Sequence, residues 1–269
     1  MNEVPKFFVC SDIHSFYRPL KKALDEKGFD PNNEDHWLVV CGDCFDRGGE
    51  SEEVLHFLMN LEHKILIRGN HEDLLEECCL REFAYSHDNS NGTRKTIQDI
   101  GGVGYGRPFD ECCRITWNKT AAYRDLLRDY FETKNYIFVH GWIPCEVYYH
   151  GDKLDRPWYQ DKKTFEYKPN WRECNDVEWE SARWINGIKL AYEGIVEPGK
   201  TIVCGHWHCS YGHKLSGHCD DEFEYAIWEP WYHNGCIAID RCTAYTGEVN
   251  VLVIEDEFLE GEYGDNSIN

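Results

Sequence analysis

The chain is predicted to form an α/β fold in which mixed β-sheets are flanked by helices. Two observations carry this expectation. Short apolar runs alternate with amphipathic segments through the first eighty or so residues, and three further apolar runs close the chain with short connections. Parallel strands need a helical crossover between them, whereas short connections suit antiparallel pairing. No internal repeat and no Pro/Ser-rich linker interrupts the 269 residues, so one domain spanning 1–269 is expected.

The elements follow in order. "KFFVCSD" (6–12) reads as a strand, and "PLKKALDEKGF" (19–29) as a helix stopped at Gly28. "HWLVVCGD" (36–43) is a second strand, followed by the helix "ESEEVLHFLMNL" (50–61), whose first turn is acidic, as the helix dipole favours. "HKILIRGN" (63–70) is a third strand and "EDLLEECCLREFA" (72–84) a third helix. Residues 86–118 are rich in Gly, Asn and Ser and read as loop or lid. Their glycines lack the Gly-x-Gly-x-x-Gly spacing of a dinucleotide site. A helix over 119–131 precedes the strand "NYIFVHG" (135–141), and 143–175 is polar and aromatic with little periodicity. A helix over 176–193 and the strands 200–206, 235–240 and 248–255 complete the chain, the last three expected to pair antiparallel.

Composition narrows the function. A net charge of −21 argues against a nucleic-acid partner, while leaving room for a phosphorylated substrate if metals or arginines reverse the sign locally. Fourteen cysteines sit singly in apolar strands or as adjacent pairs, and read as buried, reduced thiols of a cytoplasmic protein. Cys41-x-x-Cys44 has no second such pair to complete a zinc ribbon. The opening "MNEVPKFFVCSD" is not a leader pattern, and no run approaches the length of a membrane span.

The chemistry collects at the strand ends. These carry Asp12 and His14, then Asp43, Asp46 and Arg47, then Asn70, His71 and Glu72, then His140, and finally His206 and His208. Each alone is a common loop residue. In open α/β sheets, however, the carboxyl ends of strands gather on one edge, so their joint occurrence in order describes one site. Imidazole, carboxylate and amide ligands without a thiolate suit Mn, Fe, Zn or Ni.

"SDIH", "GDCFDRG", "RGNHE", "HG" and "GHWH" together resemble the ordered motifs of the calcineurin-like metallophosphoesterases, over about residues 7–255. Gly42-Asp43-x-x-Asp46-Arg47-Gly48 with Arg68-Gly-Asn-His-Glu72 is similar to the phosphoprotein phosphatase branch. That branch holds bacterial and phage serine/threonine phosphatases and symmetrical dinucleoside tetraphosphate hydrolases. The resemblance implies a metallophosphoesterase sandwich and two divalent metal ions, manganese foremost. Asp12 and His14 would bind the first metal and Asp43 would bridge both. Asn70, His140 and His206 would complete the second, with His208 an additional ligand as in the wider superfamily. A metal-bridging hydroxide would attack phosphorus in line. His71 would protonate the leaving oxygen, oriented by Asp46, and Arg47 would hold the phosphoryl oxygens. A second phosphate-binding arginine is expected, and Arg183 in "WESARW" is the candidate, although a helix-surface arginine is an equal reading.

Three positions depart from the family pattern. Ser11 and Ser15 replace glycines beside the first metal, and Trp142 follows His140-Gly141, where a bulky ring is expected near the entrance. The function these features imply is phosphomonoester hydrolysis. The expected partner is a phosphorylated protein or a small phosphoester, with no nucleic acid and no membrane. A serine/threonine protein phosphatase leads, dinucleoside tetraphosphate or small-molecule hydrolysis is the alternative, and a scaffold without catalysis would have been free to lose the ligands retained here. No basic cluster is apparent beside the motifs to hold a long polyphosphate.

Overall fold

The computed structural model describes residues 4–102, 106–150 and 163–259. Strand β1 (Lys6–Cys10) leads through α1 (Tyr17–Glu26) to β2 (His36–Cys41), and α2 (Ser51–Asn60) leads on to β3 (Lys64–Ile67). Helices α3 (Asn70–Arg81), α4 (Ser86–Asn91), α5 (Thr93–Gly101), α6 (Phe109–Lys119) and α7 (Ala121–Asp125) follow. Strands β4 (Leu127–Arg128), β5 (Phe131–Glu132) and β6 (Tyr136–Phe138) precede the antiparallel pair β7 (Cys145–Tyr149) and β8 (Lys163–Tyr167). After α8 (Asp176–Arg183) and α9 (Gly187–Tyr192) come β9 (Thr201–Cys204) and α10 (Cys209–Leu215). The last elements are β10 (Trp231–His233), β11 (Cys236–Ala238), α11 (Thr243–Thr246) and β12 (Leu252–Glu255).

Two five-stranded sheets form, ordered β12-β1-β2-β3-β4 and β10-β11-β9-β6-β5. The period of two along each strand explains why they stack. Phe7, Val9, Val39, Cys41, Ile65 and Ile67 point from the first sheet into a layer shared with Phe138, Val203 and Ile237 of the second. The alternate residues Phe8, Cys10, Leu38, Val40 and Leu66 point the other way, under α1, α2, α3, α5 and α6. The second sheet is covered likewise, with Trp142, Trp171, Trp179 and Trp231 packed among α8, α9 and α10. Burial on both faces is why these strands read as unbroken apolar runs.

The β1–β2–β3 unit is parallel as expected. Four other expectations are corrected. Residues 86–118, outside the three at 103–105 that are not described, are helical. Two of their glycines, Gly92 and Gly102 at φ 95° and 75°, cap α5, while Thr96, Ile97 and Ile100 face the core on one side of it. The helix expected over 119–131 is the end of α6 plus the short α7, after which the chain turns into β4 and β5. The helix expected over 176–193 breaks at 184–186, where Asn186 turns its side chain to accept from Lys189 N and starts α9 afresh. Finally, β9 and β11 pair in parallel, and β12 crosses to the first sheet to pair antiparallel with β1. The polar and aromatic segment 143–175 lies partly outside the described residues, at 151–162. Among the described residues no helix is long and apolar enough to cross a membrane, and none of the fourteen cysteines is disulfide-bonded.

Candidate active site

Loops at the carboxyl ends of β1, β2, β3, β6 and β9 interlock through their own backbones. Asp12 N donates to Gly42 O (3.1 Å), His14 N to Asp43 O (3.0 Å) and Gly205 N to His140 O (2.8 Å). The two sheets are tied at the site by His206 N, which donates to Asp12 Oδ2 at 2.9 Å. Such close packing has a backbone cost. Among the described residues, seven of the nine non-glycine residues at positive φ are Asp12, His14, Ser15, Asp43, Asp46, Arg47 and His206. Strain of this kind persists only where surrounding bonds over-determine it, as they do here. Glycine is required at 69, where a Cβ would collide with the Asp43 carboxylate and with Glu72. Ser15 sits at φ 60°, so the position that departs from the family's glycine keeps a glycine-like backbone.

The ligand-type atoms converge in two groups, His14 with Asp43 and His71, and Asp43 with His140 and His206. Asp12 joins the first, its Oδ1 lying 3.8 Å from His14 Nε2. Second partners set the tautomers. His14 Nδ1–H donates to Phe45 O and His140 Nδ1–H to Cys41 O, both at 2.8 Å, leaving each Nε2 lone pair facing the cluster. His140 Nε2 then lies 2.9 Å from Asn70 Oδ1 and 3.3 Å from Asp43 Oδ1. Three lone-pair-bearing atoms facing one another are relieved by a cation, so the donor set fits a metal. Burial pulls His14 and His206 down to about 3, so both rings are neutral and ready to ligate. Burial also raises Asp12, whereas for Asp43 the imidazoles around it, His140 foremost, overcome burial and hold it well below the usual carboxylate range.

His71 lies at the start of α3, its backbone N donating to Asp43 Oδ1 at 3.0 Å. Its Nδ1 is 2.7 Å from Asp46 Oδ2, which also accepts from Thr93 Oγ1 at 2.6 Å. Burial disfavours charge on His71, but the Asp43 field and the Asp46 hydrogen bond outweigh it and raise the ring to about 9. Arg47 Nη2 stands 3.3 Å from His71 Nε2. With the ring protonated both are donors aimed at one place, which is the geometry of an anion site.

The arrangement is held by Glu72 and Ser11, both visible in the motifs, together with Tyr123, Thr93 and Thr96, which the sequence reading does not single out. Glu72 accepts four hydrogen bonds: from Gly69 N and Asp43 N at one oxygen, and from Cys44 N and Tyr123 Oη at the other. Thr93 and Thr96 of α5 grip Asp46 by side chain and backbone. Ser11 bonds the Asp12 carboxylate. The Glu of the "RGNHE" run is a visible signal in the sequence; the α5 hydroxyls carry none, because residues 86–118 read as loop.

The structure gives three of the expected residues other partners. Arg183 is buried, with 7% exposure, and its guanidinium is taken up by Asp73 and Asp129, each at 2.7 Å. Carboxylates on α3 and before β5 compete successfully for donors that a phosphate would need. His208 lies outside both metal-type groups. Its Nδ1 bonds Ser210 Oγ at 2.7 Å and its ring packs against Phe223 and Trp228. Trp142, 1% exposed, is core rather than entrance, its ring lying against Gly187 at the start of α9. Trp184, half-exposed, stands beside His206 instead, with ring centroids 5.9 Å apart.

The profile of the calcineurin-like phosphoesterase family matches residues 5–210. A symmetrical bis(5'-nucleosyl)-tetraphosphatase of Proteus mirabilis is 38% identical over 66 residues, 24% of this chain and 23% of that protein. One from Aromatoleum aromaticum is 30% identical over 94 residues, 35% of this chain and 32% of that protein. These matches therefore span only about a quarter to a third of the relatives' length. The cold-active protein-tyrosine phosphatase of a psychrophilic Shewanella species superposes with a TM-score of 0.50, at 16% identity, over 94% of this chain and 76% of that one, a likeness of fold. The interlocked strand-end loops and the family profile agree: the chain belongs to the calcineurin-like phosphoesterase family.

Proposed function

We propose that the chain is a metal-dependent hydrolase that transfers a phosphoryl group of an ester or anhydride to water. The observation that carries this reading is the juxtaposition of two metal-type groups sharing Asp43 with a His71–Asp46 pair and an arginine at their edge. Asp12, His14 and Asp43 would hold one divalent ion, and Asp43, Asn70, His140 and His206 the other. Two such ions supply Lewis acidity toward water and the phosphoryl oxygens. The chain's own groups do the rest. Arg47 orients the phosphoryl oxygens with a planar fork. His71 holds a proton at Nε2 for the leaving oxygen, and Asp46 keeps that proton in place from the far side of the ring. Arg183 and His208 have no part in this scheme. We further infer that the native metal is manganese and that a reducing cytoplasm suits the unpaired thiols.

Two substrate classes fit. The overall charge of −21 favours phosphoserine and phosphothreonine peptides. The names of the partial relatives point to a dinucleoside tetraphosphate. The test is turnover of a phosphopeptide, of p-nitrophenyl phosphate and of a dinucleoside tetraphosphate by the metal-free chain resupplied with Mn, Fe, Zn or Ni. Metal-restored hydrolysis is expected, and full activity in excess chelator would overturn the reading.

A further inference from the structure

Two cations from elsewhere in the chain lie against the residues that follow Arg47. Lys95 of α5 lies over Gly49, its Nζ only 3.1 Å from where a Cβ would stand. It is exposed and has no hydrogen bond or ion pair among the described residues. One residue further along, Arg18 pairs with Glu50 through Nε at 3.1 Å, with its side chain 87% exposed, so its terminal nitrogens remain open. Acids outnumber bases 49 to 28 in this chain, and lysines nearby are neutralised, as Lys119 is by Glu52. An unpaired ammonium over Gly49, itself two residues after Arg47, is a departure from that pattern.

We propose that Lys95, against Gly49, and Arg18, against Glu50, form a second phosphate subsite that takes the next phosphoryl group of a polyphosphorylated substrate. This rests on the reading of Arg47 as the ligand of the scissile group, and it corrects the expectation that no basic cluster adjoins the motifs. The cluster escaped the sequence because its members lie far apart along it. Lys95 arrives on the helix whose Thr93 and Thr96 hold Asp46, so the grip on the catalytic loop also delivers the cation. Local charge decides here over net charge. Screening at physiological salt limits exposed charges to about 8 Å, so distant carboxylates contribute little to the field over Gly49. Lys95 and Arg18 each present N–H donors of the kind that makes strong charge-assisted bonds to phosphate oxygens.

The test is equilibrium binding of two non-hydrolysable probes, methylenediphosphonate and methylphosphonate, to the metal-loaded full chain at equal free metal. The wild type should prefer the bisphosphonate. Lys95→Ala should reduce that preference about tenfold, the low end for losing one charge-assisted bond. Lys95→Glu should reduce it further, and Lys95→Arg should restore it. Chelation of metal by the bisphosphonate is common to all variants and cancels in the comparison. Equal losses for both probes, or a Lys95→Glu protein that binds the bisphosphonate as the wild type does, would overturn the subsite. Should no phosphoester be turned over with any metal, the proposed reaction fails while the binding ratio still decides this site.

Discussion

Glu72→Gln should destabilise the site and the fold together. The carboxylate accepts from Gly69 N (2.8 Å), Asp43 N (2.9 Å), Cys44 N (2.9 Å) and Tyr123 Oη (3.2 Å). A glutamine oxygen can serve only one side. If it stays with Gly69 and Asp43, the amide nitrogen faces Cys44 N and the tyrosine hydroxyl. The hydroxyl can turn to accept; the Cys44 N–H cannot. One charge-assisted bond is lost, a buried donor is orphaned, and the two retained bonds weaken, together about 3–5 kcal/mol. Burial already pushes Glu72 toward its neutral acid, so removing the charge returns part of this. The net loss should be about 2–3 kcal/mol, a fall in Tm of roughly 5–10 °C for a chain of this size. Tyr123→Phe, which removes only the longest of the four bonds, should cost about 1 kcal/mol or less. Thermal melts followed by calorimetry measure both, and metal titration should show weaker binding in Glu72→Gln, because the segment it anchors carries Asp43. A Glu72→Gln melt within a degree of wild type, or a Tyr123→Phe cost as large as that of Glu72→Gln, would refute the clamp.

Asp43→Asn should abolish metal-restored turnover and weaken metal uptake in calorimetry with the fold retained by circular dichroism, since one carboxylate serves both metal-type groups. His71→Asn should slow hydrolysis of alkyl phosphate esters by ~10²–10⁴ and of aryl esters less, because an aryl leaving oxygen needs no proton; equal losses would remove His71 from proton transfer. Arg183→Ala should act on stability rather than on substrate. It strips Asp129 of a partner and leaves Asp73 to Arg68, about 1–3 kcal/mol by melting, with KM for p-nitrophenyl phosphate changed less than threefold. A large loss of kcat/KM at unchanged Tm would return Arg183 to the phosphate.

What the sequence determined by itself is local or ordered. A strand buried on both faces must be apolar along its length, so β1, β2, β3, β6 and β9 could be read directly, and the polar residues ending each strand could be placed on one edge. Asp12, His14, Asp43, Asn70, His71, His140 and His206 come together because each is fixed within a few residues of a strand end, where the backbone leaves little choice. Only the tertiary structure decided which side chains compete for the same partner. Arg183 looked free to bind phosphate until Asp73 and Asp129, 110 and 54 residues away, were brought against it. His208 turned to Ser210 and an aromatic cluster, and Trp142 into the core beneath α9. The same holds for the helices at 86–118, whose Gly, Asn and Ser content disguised capped helices as loop, and for Lys95, which reaches Gly49 only because α5 folds there. Strand identity follows from short-range periodicity, whereas the fate of a long polar side chain is set by the charges that packing places near it.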